Sequence, residues 1–141
     1  VLLGLDPLLT GELLARLDAM GHSDAVCVAD AHFPAARLAH HLLVLPGVTT
    51  PDLIRAICSV LPLDAAPAVD LMSSADGTVL PVQQELMSAA SATERSTRFL
   101  GRQEFYVEAG SACLVIRTGE TRTYGNAILR KGVVPDPGVA R

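Results

Sequence analysis

Gly21-His22-Ser23-Asp24 and Asp30-Ala31-His32-Phe33-Pro34 flank the apolar run Ala25-Val26-Cys27-Val28-Ala29. Five consecutive small or apolar residues read as a buried strand, so side chains able to move protons stand at both ends of a rigid element. His22 leads the candidates for acid/base chemistry, because an unperturbed imidazole titrates near pH ~6.5 and can give or take a proton close to neutrality. Taken singly, each residue has a plainer explanation. A histidine at a helix exit complements the helix dipole, an aspartate caps a turn, and His32 sits on a surface. Their concurrence with Tyr106, Tyr124 and Asn126, in a chain with only 2 tyrosines, favours a reactive pocket.

Other chemistries lack their mechanical parts. No G-x-S-x-G, no G-x-x-x-x-G-K and no G-x-G-x-x-G after a strand is present, so hydrolase, nucleoside-triphosphatase and dinucleotide readings lack their mechanical parts. His22, His32, His40 and His41 include no H-x-x-x-H pair, and adjacent His40 and His41 point to different sides of any regular element. Neither a metal nor another cofactor is expected.

The elements that must position these groups are legible as follows. Thr10 caps a helix opened by Glu12, with Leu13, Leu14, Leu17 and Met20 at helical spacing and Gly21 supplying a left-handed exit that delivers His22. Thr50 as cap, Pro51 and Asp52 announce a second helix with Leu53, Ile54, Ile57 and Val60 on one face, stopping at Pro62 just before Asp64. Val69 to Met72 reads as a strand, and residues 83 to 90 as a helix after Pro81. Residues 91 to 98 read as a polar surface connection. A short helix from Arg102 to Ala109 ends at Gly110. Residues 112 to 117 form a central strand, Thr118-Gly119-Glu120 a turn, and Ala127 to Leu129 a last strand. Helices alternating with short apolar strands predict an α/β fold. The expected architecture is a three-layer domain over residues 1–141, with a mainly parallel sheet, helices on both faces and ligands at the strand ends.

Composition bounds the partners. In 141 residues, half of them hydrophobic, there is material for one continuous core, while a formal charge of −4 and 11 scattered Lys plus Arg offer no footprint for a phosphate backbone. Nucleic acid is not an expected partner. No apolar stretch approaches the ~20 residues needed to cross a bilayer, and three cysteines within or beside apolar runs read as reduced thiols, so no membrane partner and a cytoplasmic location are expected.

From Thr118 through Val133, with Thr123-Tyr124-Gly125-Asn126 at its centre, and at the two clusters flanking Ala25 to Ala29, the sequence resembles the RbsD/FucU family of sugar mutarotases and pyranases. The resemblance spans nearly the whole chain, in the family's motif order. It implies that His22 is the catalytic histidine, that Asp30 binds sugar, and that Tyr124 and Asn126 hold sugar hydroxyls. It further implies a functional role for Asp64 and, through Arg102 and Tyr106, a leaning toward fucose over ribose. Gln103 in place of an aromatic residue, Ser23 in place of glycine and Ala25 in place of an acid are departures.

The reaction implied is L-fucose mutarotation, an isomerase activity exchanging anomers of a free monosaccharide without a cofactor. D-ribose pyranase, or a sugar-binding module without turnover, are the alternatives on the same scaffold. His22 would move one proton and Tyr106 or Tyr124 a second, with Asp30, Asp64, Arg102 and Asn126 orienting hydroxyls. Spacing adds a constraint. His22 and Asp30 are eight residues apart, up to ~26 Å along a straight strand, several times the width of a sugar. Either the chain turns back at each end, or the site is assembled between subunits. The resemblance implies a homo-oligomer, commonly a decameric ring, with pockets at subunit contacts.

Overall fold

Alternation along the strands explains the layers. The computed structural model describes residues 1–138. Its elements are α1 (Gly11–Ala19), β1 (Ala25–Ala29), α2 (Ala35–Leu38), β2 (Leu42–Leu45), α3 (Thr50–Cys58), β3 (Val69–Met72), α4 (Pro81–Ala89), β4 (Thr97–Leu100), α5 (Arg102–Ser111), β5 (Leu114–Thr118) and β6 (Ala127–Arg130). Val26 and Val28, Leu114 and Ile116, Val69 and Leu71, and Ala127 and Leu129 point to one side, where they meet Leu13, Leu17, Ile54, Ile57 and Leu86 of α1, α3 and α4. Cys27 and Ala29, Val115, Met72 and Ile128 point to the other, against Phe33, Ala35, Phe105 and Ala109 around α2 and α5. Both sheet faces are therefore covered, and strands buried on two sides need the near-continuous apolar runs seen in the sequence.

The six strands run in the order β2-β5-β1-β6-β3-β4. All are mutually parallel except β6, which lies antiparallel between β1 and β3. This reversal matters for the site: the start of β6 lies beside the ends of β1 and β3, and its finish beside their starts. The sheet thus has two ends at which three different parts of the chain meet.

Most of the expected elements form, with local differences that have physical causes. Thr10 does cap α1, its hydroxyl accepting from Leu13 N at 3.2 Å. The left-handed residue at that exit, however, is Ser23 (φ 70°) and not Gly21, which instead donates its N–H to Asp24 Oδ2 at 2.7 Å. Thr49, not Thr50, caps α3, because the buried Thr50 hydroxyl is turned inward to Thr118 Oγ1 at 3.0 Å. Val60 is exposed, since α3 ends at Cys58 and its periodicity ends there too. Residues 91–98 are not all connection: a 3-10 turn at Glu94–Ser96 leads directly into the edge strand β4. Cys27, Cys58 and Cys113 are unpaired, and burial pushes the Cys58 thiol up to about 11. No helix among the described residues is long and apolar enough to cross a membrane.

Candidate functional site

At the edge where β1, β3 and β4 end and β6 begins, Asp30, His32, Phe33, Met72, Arg102, Tyr106, Thr123, Tyr124 and Asn126 line a cavity of about 250 Å³. Five of the seven residues expected from the sequence meet here: Asp30, Arg102, Tyr106, Tyr124 and Asn126. Arg102 and Tyr106 come from the first turns of α5, four residues apart and hence on one helical face. Tyr106 packs edge-on to Phe33, with ring centroids 5.5 Å apart, and Phe33 in turn packs edge-on to Phe105 at 5.9 Å. One wall is therefore a stiff aromatic stack, and the rim is polar.

Asp30 is the buried acid of the cavity, with only 3% of its surface exposed. Its carboxylate accepts from His32 N at 3.0 Å, and Asn126 Oδ1 accepts from Asp30 N at 2.7 Å. Burial raises the Asp30 pKa above the ordinary carboxylate value, opposed by hydrogen bonds from the backbone of His32 and Gly125 and from the Asn126 side chain. Asn126, itself 3% exposed, thus ties its amide oxygen to the backbone of Asp30.

A hydroxyl relay anchors this edge. Thr118 Oγ1 donates to Ala29 O at 2.9 Å, so in the Thr50–Thr118 contact the proton comes from Thr50. The Glu120 carboxylate, 3% exposed, is held by Arg122 at 2.9 Å, and Arg122 also pairs with Glu85 of α4. The hydrogen bonds and charge of Arg122 keep the Glu120 carboxyl below its usual range. A side chain at Gly125 would meet Glu120 Cγ at 2.9 Å, so the loop closes tightly only with glycine there. Next to it, Tyr124 takes φ 63°, an uncommon conformation for a bulky residue that the surrounding contacts impose.

His22 and Asp64 lie at the opposite edge of the sheet. There β1 and β3 start and β6 finishes, with the length of β1, roughly 17 Å, between the two edges. His22 Nε2 stands 2.9 Å from Asp64 Oδ1, and Ser23 Oγ donates to Asp64 Oδ2 at 3.2 Å. A carboxylate only accepts, so a neutral His22 places its proton on Nε2 and leaves the Nδ1 lone pair free. The His22 side chain is 59% exposed. The structure brings His22 to Asp64 and does not bring either to Asp30.

Three lining residues carry no site signal of their own in the sequence: Met72, and Phe33 and Thr123, which stand only within their motifs. Met72 becomes visible only once β3 is known to end beside β1 across β6. His32, which taken singly reads as a surface side chain, lines the cavity, with Nε2 3.3 Å from Thr121 O.

The sequence profile of the RbsD / FucU transport protein family matches residues 3–134. The chain belongs to that family. Among solved structures, this RbsD/FucU chain is similar to the fucose mutarotase of Streptococcus pneumoniae in complex with L-fucose, at 31% identity and TM-score 0.86, covering 95% of this chain and 100% of that one. It is similar to FucU from Bifidobacterium longum at 30% identity and TM-score 0.85, covering 93% and 99%. RbsD of Bacillus subtilis complexed with D-ribose matches at 26% identity and TM-score 0.73, over 89% and 95%. The RbsD/FucU fold, with its mixed and mostly parallel sheet, is common to all of these.

Within the cavity, Asp30 sets a test of site against fold. A carboxyl whose folded-state pKa is raised binds its proton more tightly in the folded chain, so its contribution is most favourable below the ordinary value of about 4 and is lost as pH rises through the raised value. Asp30→Asn keeps an oxygen acceptor for His32 N and removes the buried charge. At pH 7 the variant should melt a few degrees above the parent, and the two midpoints should converge below pH 4. A variant that melts lower at pH 7 would show that Asp30 is structural.

Proposed function

We propose that the protein is a sugar mutarotase acting on L-fucose, exchanging its anomers by acid/base ring opening. The convergence of Asp30, Arg102, Tyr106, Tyr124 and Asn126 on one cavity carries this reading, because a ring of acceptors and donors beside an aromatic wall suits a pyranose. Similarity to a fucose mutarotase bound to L-fucose supports it. Arg102 in the lining favours fucose over ribose, and relative exchange rates on the two sugars separate those readings.

Opening the hemiacetal adds a proton to the ring oxygen and removes one from the anomeric hydroxyl, breaking the bond from C1 to the ring oxygen and forming an aldehyde. Closing on the other face returns both protons, so no net proton is consumed. In this reading the imidazolium of His22, its Nε2–H held by Asp64, gives its Nδ1 proton to the ring oxygen on opening and retakes it on closing. Asp30, with its proton affinity raised by burial, accepts from the anomeric hydroxyl more readily than a phenol with pKa near ~10. Tyr106 and Tyr124 then hold hydroxyls, and Arg102 offers its planar fork of donors.

A cavity at one edge and the exposed His22 at the other call for two copies of the chain. The His22 that serves a given cavity is contributed by a neighbour in a homo-oligomer, and the exposed imidazole is available for that role.

Saturation-transfer NMR on fucose, ribose, galactose and arabinose tests the reaction. His22→Gln should slow fucose anomer exchange by roughly 10²- to 10⁴-fold, the usual worth of a positioned acid or base, with the circular dichroism spectrum unchanged. A folded variant exchanging fucose at the parental rate would remove His22 from the chemistry. No acceleration of any sugar by the parent would leave binding without turnover.

A further inference from the structure

The exit of α1, which carries His22, and the loop that carries Asp64 share one clamp, Arg130 at the end of β6 with Lys131 and Gly132 after it. Lys131 N donates to Asp24 O at 2.9 Å, and Lys131 O accepts from Ser23 N at 2.8 Å, so its backbone brackets the His22 loop. Its ammonium turns back to α1, where Nζ donates to Leu17 O at 2.7 Å and to Met20 O at 2.6 Å, with Asp18 O at 3.4 Å. On its other side, Arg130 O accepts from Asp64 N at 3.0 Å, Gly132 N donates to Pro62 O at 2.7 Å, and Leu63 bridges to Lys131 itself. Gly132 has no room for a side chain, since a Cβ would stand 2.5 Å from Leu63 O.

The last carbonyls of a helix have no intrahelical partner and carry the negative end of its dipole. The last turn of α1 contains Arg16, but the group that reaches its terminal carbonyls is Lys131, 111 residues further along the chain from Met20. Three donors on one ammonium match three carbonyls that converge from one turn. A helix cap alone would require nothing more. Here the same residue also pairs with Ser23, held at φ 70°, whose hydroxyl donates to the Asp64 carboxylate facing His22.

We propose that Lys131 is a positioning residue for the His22–Asp64 pair. Its ammonium fixes the end of α1, and its backbone fixes the loop, so the imidazole meets its substrate with Nε2 anchored and Nδ1 presented. The proposal rests on the mutarotase reading for its kinetic arm, and on the structure alone for its spectroscopic arm.

The test compares Lys131→Met, which keeps most of the apolar stem and loses the ammonium, with Lys131→Arg, which keeps the charge. In histidine-labelled protein, with His22 assigned by its loss in His22→Gln, the parent should show a slowly exchanging Nε2 proton hydrogen-bonded to Asp64. In Lys131→Met that signal should broaden into exchange with water. The kcat for fucose anomer exchange should fall roughly ten- to a hundredfold, the scale of an ångström's misplacement, with KM unchanged because Lys131 lies at the edge away from the cavity. Lys131→Arg should restore part of both. A folded Lys131→Met with the parental Nε2 signal and kcat, and only a lower melting temperature, overturns the proposal and leaves Lys131 as a helix cap. If that variant does not fold, Lys131→Gln, which retains a neutral donor, is read by the same two measurements. Should the parent exchange no sugar, the mutarotase reading fails while the imidazole signal still decides the positioning role.

Discussion

Asp70→Ala should lower the free energy of unfolding by about 3–5 kcal/mol in a urea titration, the usual cost of leaving a buried charge without its partner. Asp70 is fully buried in β3, on the face covered by α5. Both its oxygens accept from Arg98 of β4, at 3.0 Å from Nε and 3.0 Å from Nη2, and Arg130 Nη1 of β6 stands 2.6 Å from Oδ2. Glu108 of α5 closes the group, with Oε2 3.0 Å from Arg130 Nη2 and Oε1 3.8 Å from Arg98 Nη2. Two acids and two arginines balance in charge, but they do not contribute equally.

Arg130 decides the magnitude. Its side chain is 14% exposed, and its Nη1 is buried without a hydrogen bond of good geometry, so the charge of Asp70 is what compensates it there. Arg98, at 45% exposure, can turn to water once Asp70 is gone, so little of the loss in Asp70→Ala comes from it. Against total stabilities of about 5–15 kcal/mol, the Asp70 loss removes a large part of the margin. It also reaches the cavity, because Glu108 ties to the sheet the same helix that carries Arg102 and Tyr106. A loss below about 1 kcal/mol would place the quartet with ordinary surface pairs.

That quartet was not legible in the sequence, and the reason is general to this fold. Asp70 sits in Val69-Asp70-Leu71-Met72, where a lone acid reads as the solvent-facing position of a half-buried strand. Its partners lie 28 and 60 residues away, on strands whose adjacency depends on β6 entering between β1 and β3. The edge strand β4 was hidden for a related reason. Thr97-Arg98-Phe99-Leu100 buries only Leu100 fully, so it lacks the apolar run that betrayed β1 and β5. Strands buried on both faces declare themselves; a polar edge strand does not.

The site was more legible in its residues than in its geometry. The apolar run at 25–29 predicted a rigid separator, and β1 is that separator, with His22 before it and Asp30 after it. Asp64 was expected to orient a sugar hydroxyl, on the strength of resemblance. In the structure it lies against His22, which only the pairing of Leu63 with the end of β6 brings about. Asn126, expected on the sugar, lines the cavity and also holds Asp30 N with its amide oxygen. Local signals identify which groups can do chemistry; the antiparallel insertion of one strand determines which of them meet.

If catalysis takes His22 from one copy and the Asp30 cavity from another, two dead variants should revive each other. His22→Gln alone and Asp30→Asn alone should each lose nearly all anomer exchange, the first by removing the ring-oxygen acid and the second by removing the proton acceptor in the cavity. Unfolded together in equal amounts and refolded, they should regain roughly a quarter of the parental rate, because random assembly in a closed ring places an intact cavity beside an intact imidazole at that frequency. The separation of the two edges by the length of β1 makes the outcome sharp, since no rotamer of His22 spans that distance. A site contained in one chain gives the opposite result: every chain in the mixture carries one lesion, and no activity returns at any ratio. Mixing the variants without unfolding distinguishes subunit exchange from fresh assembly, and a double variant carrying both lesions, refolded with parent, should dilute the rate in proportion to the mixed contacts it creates.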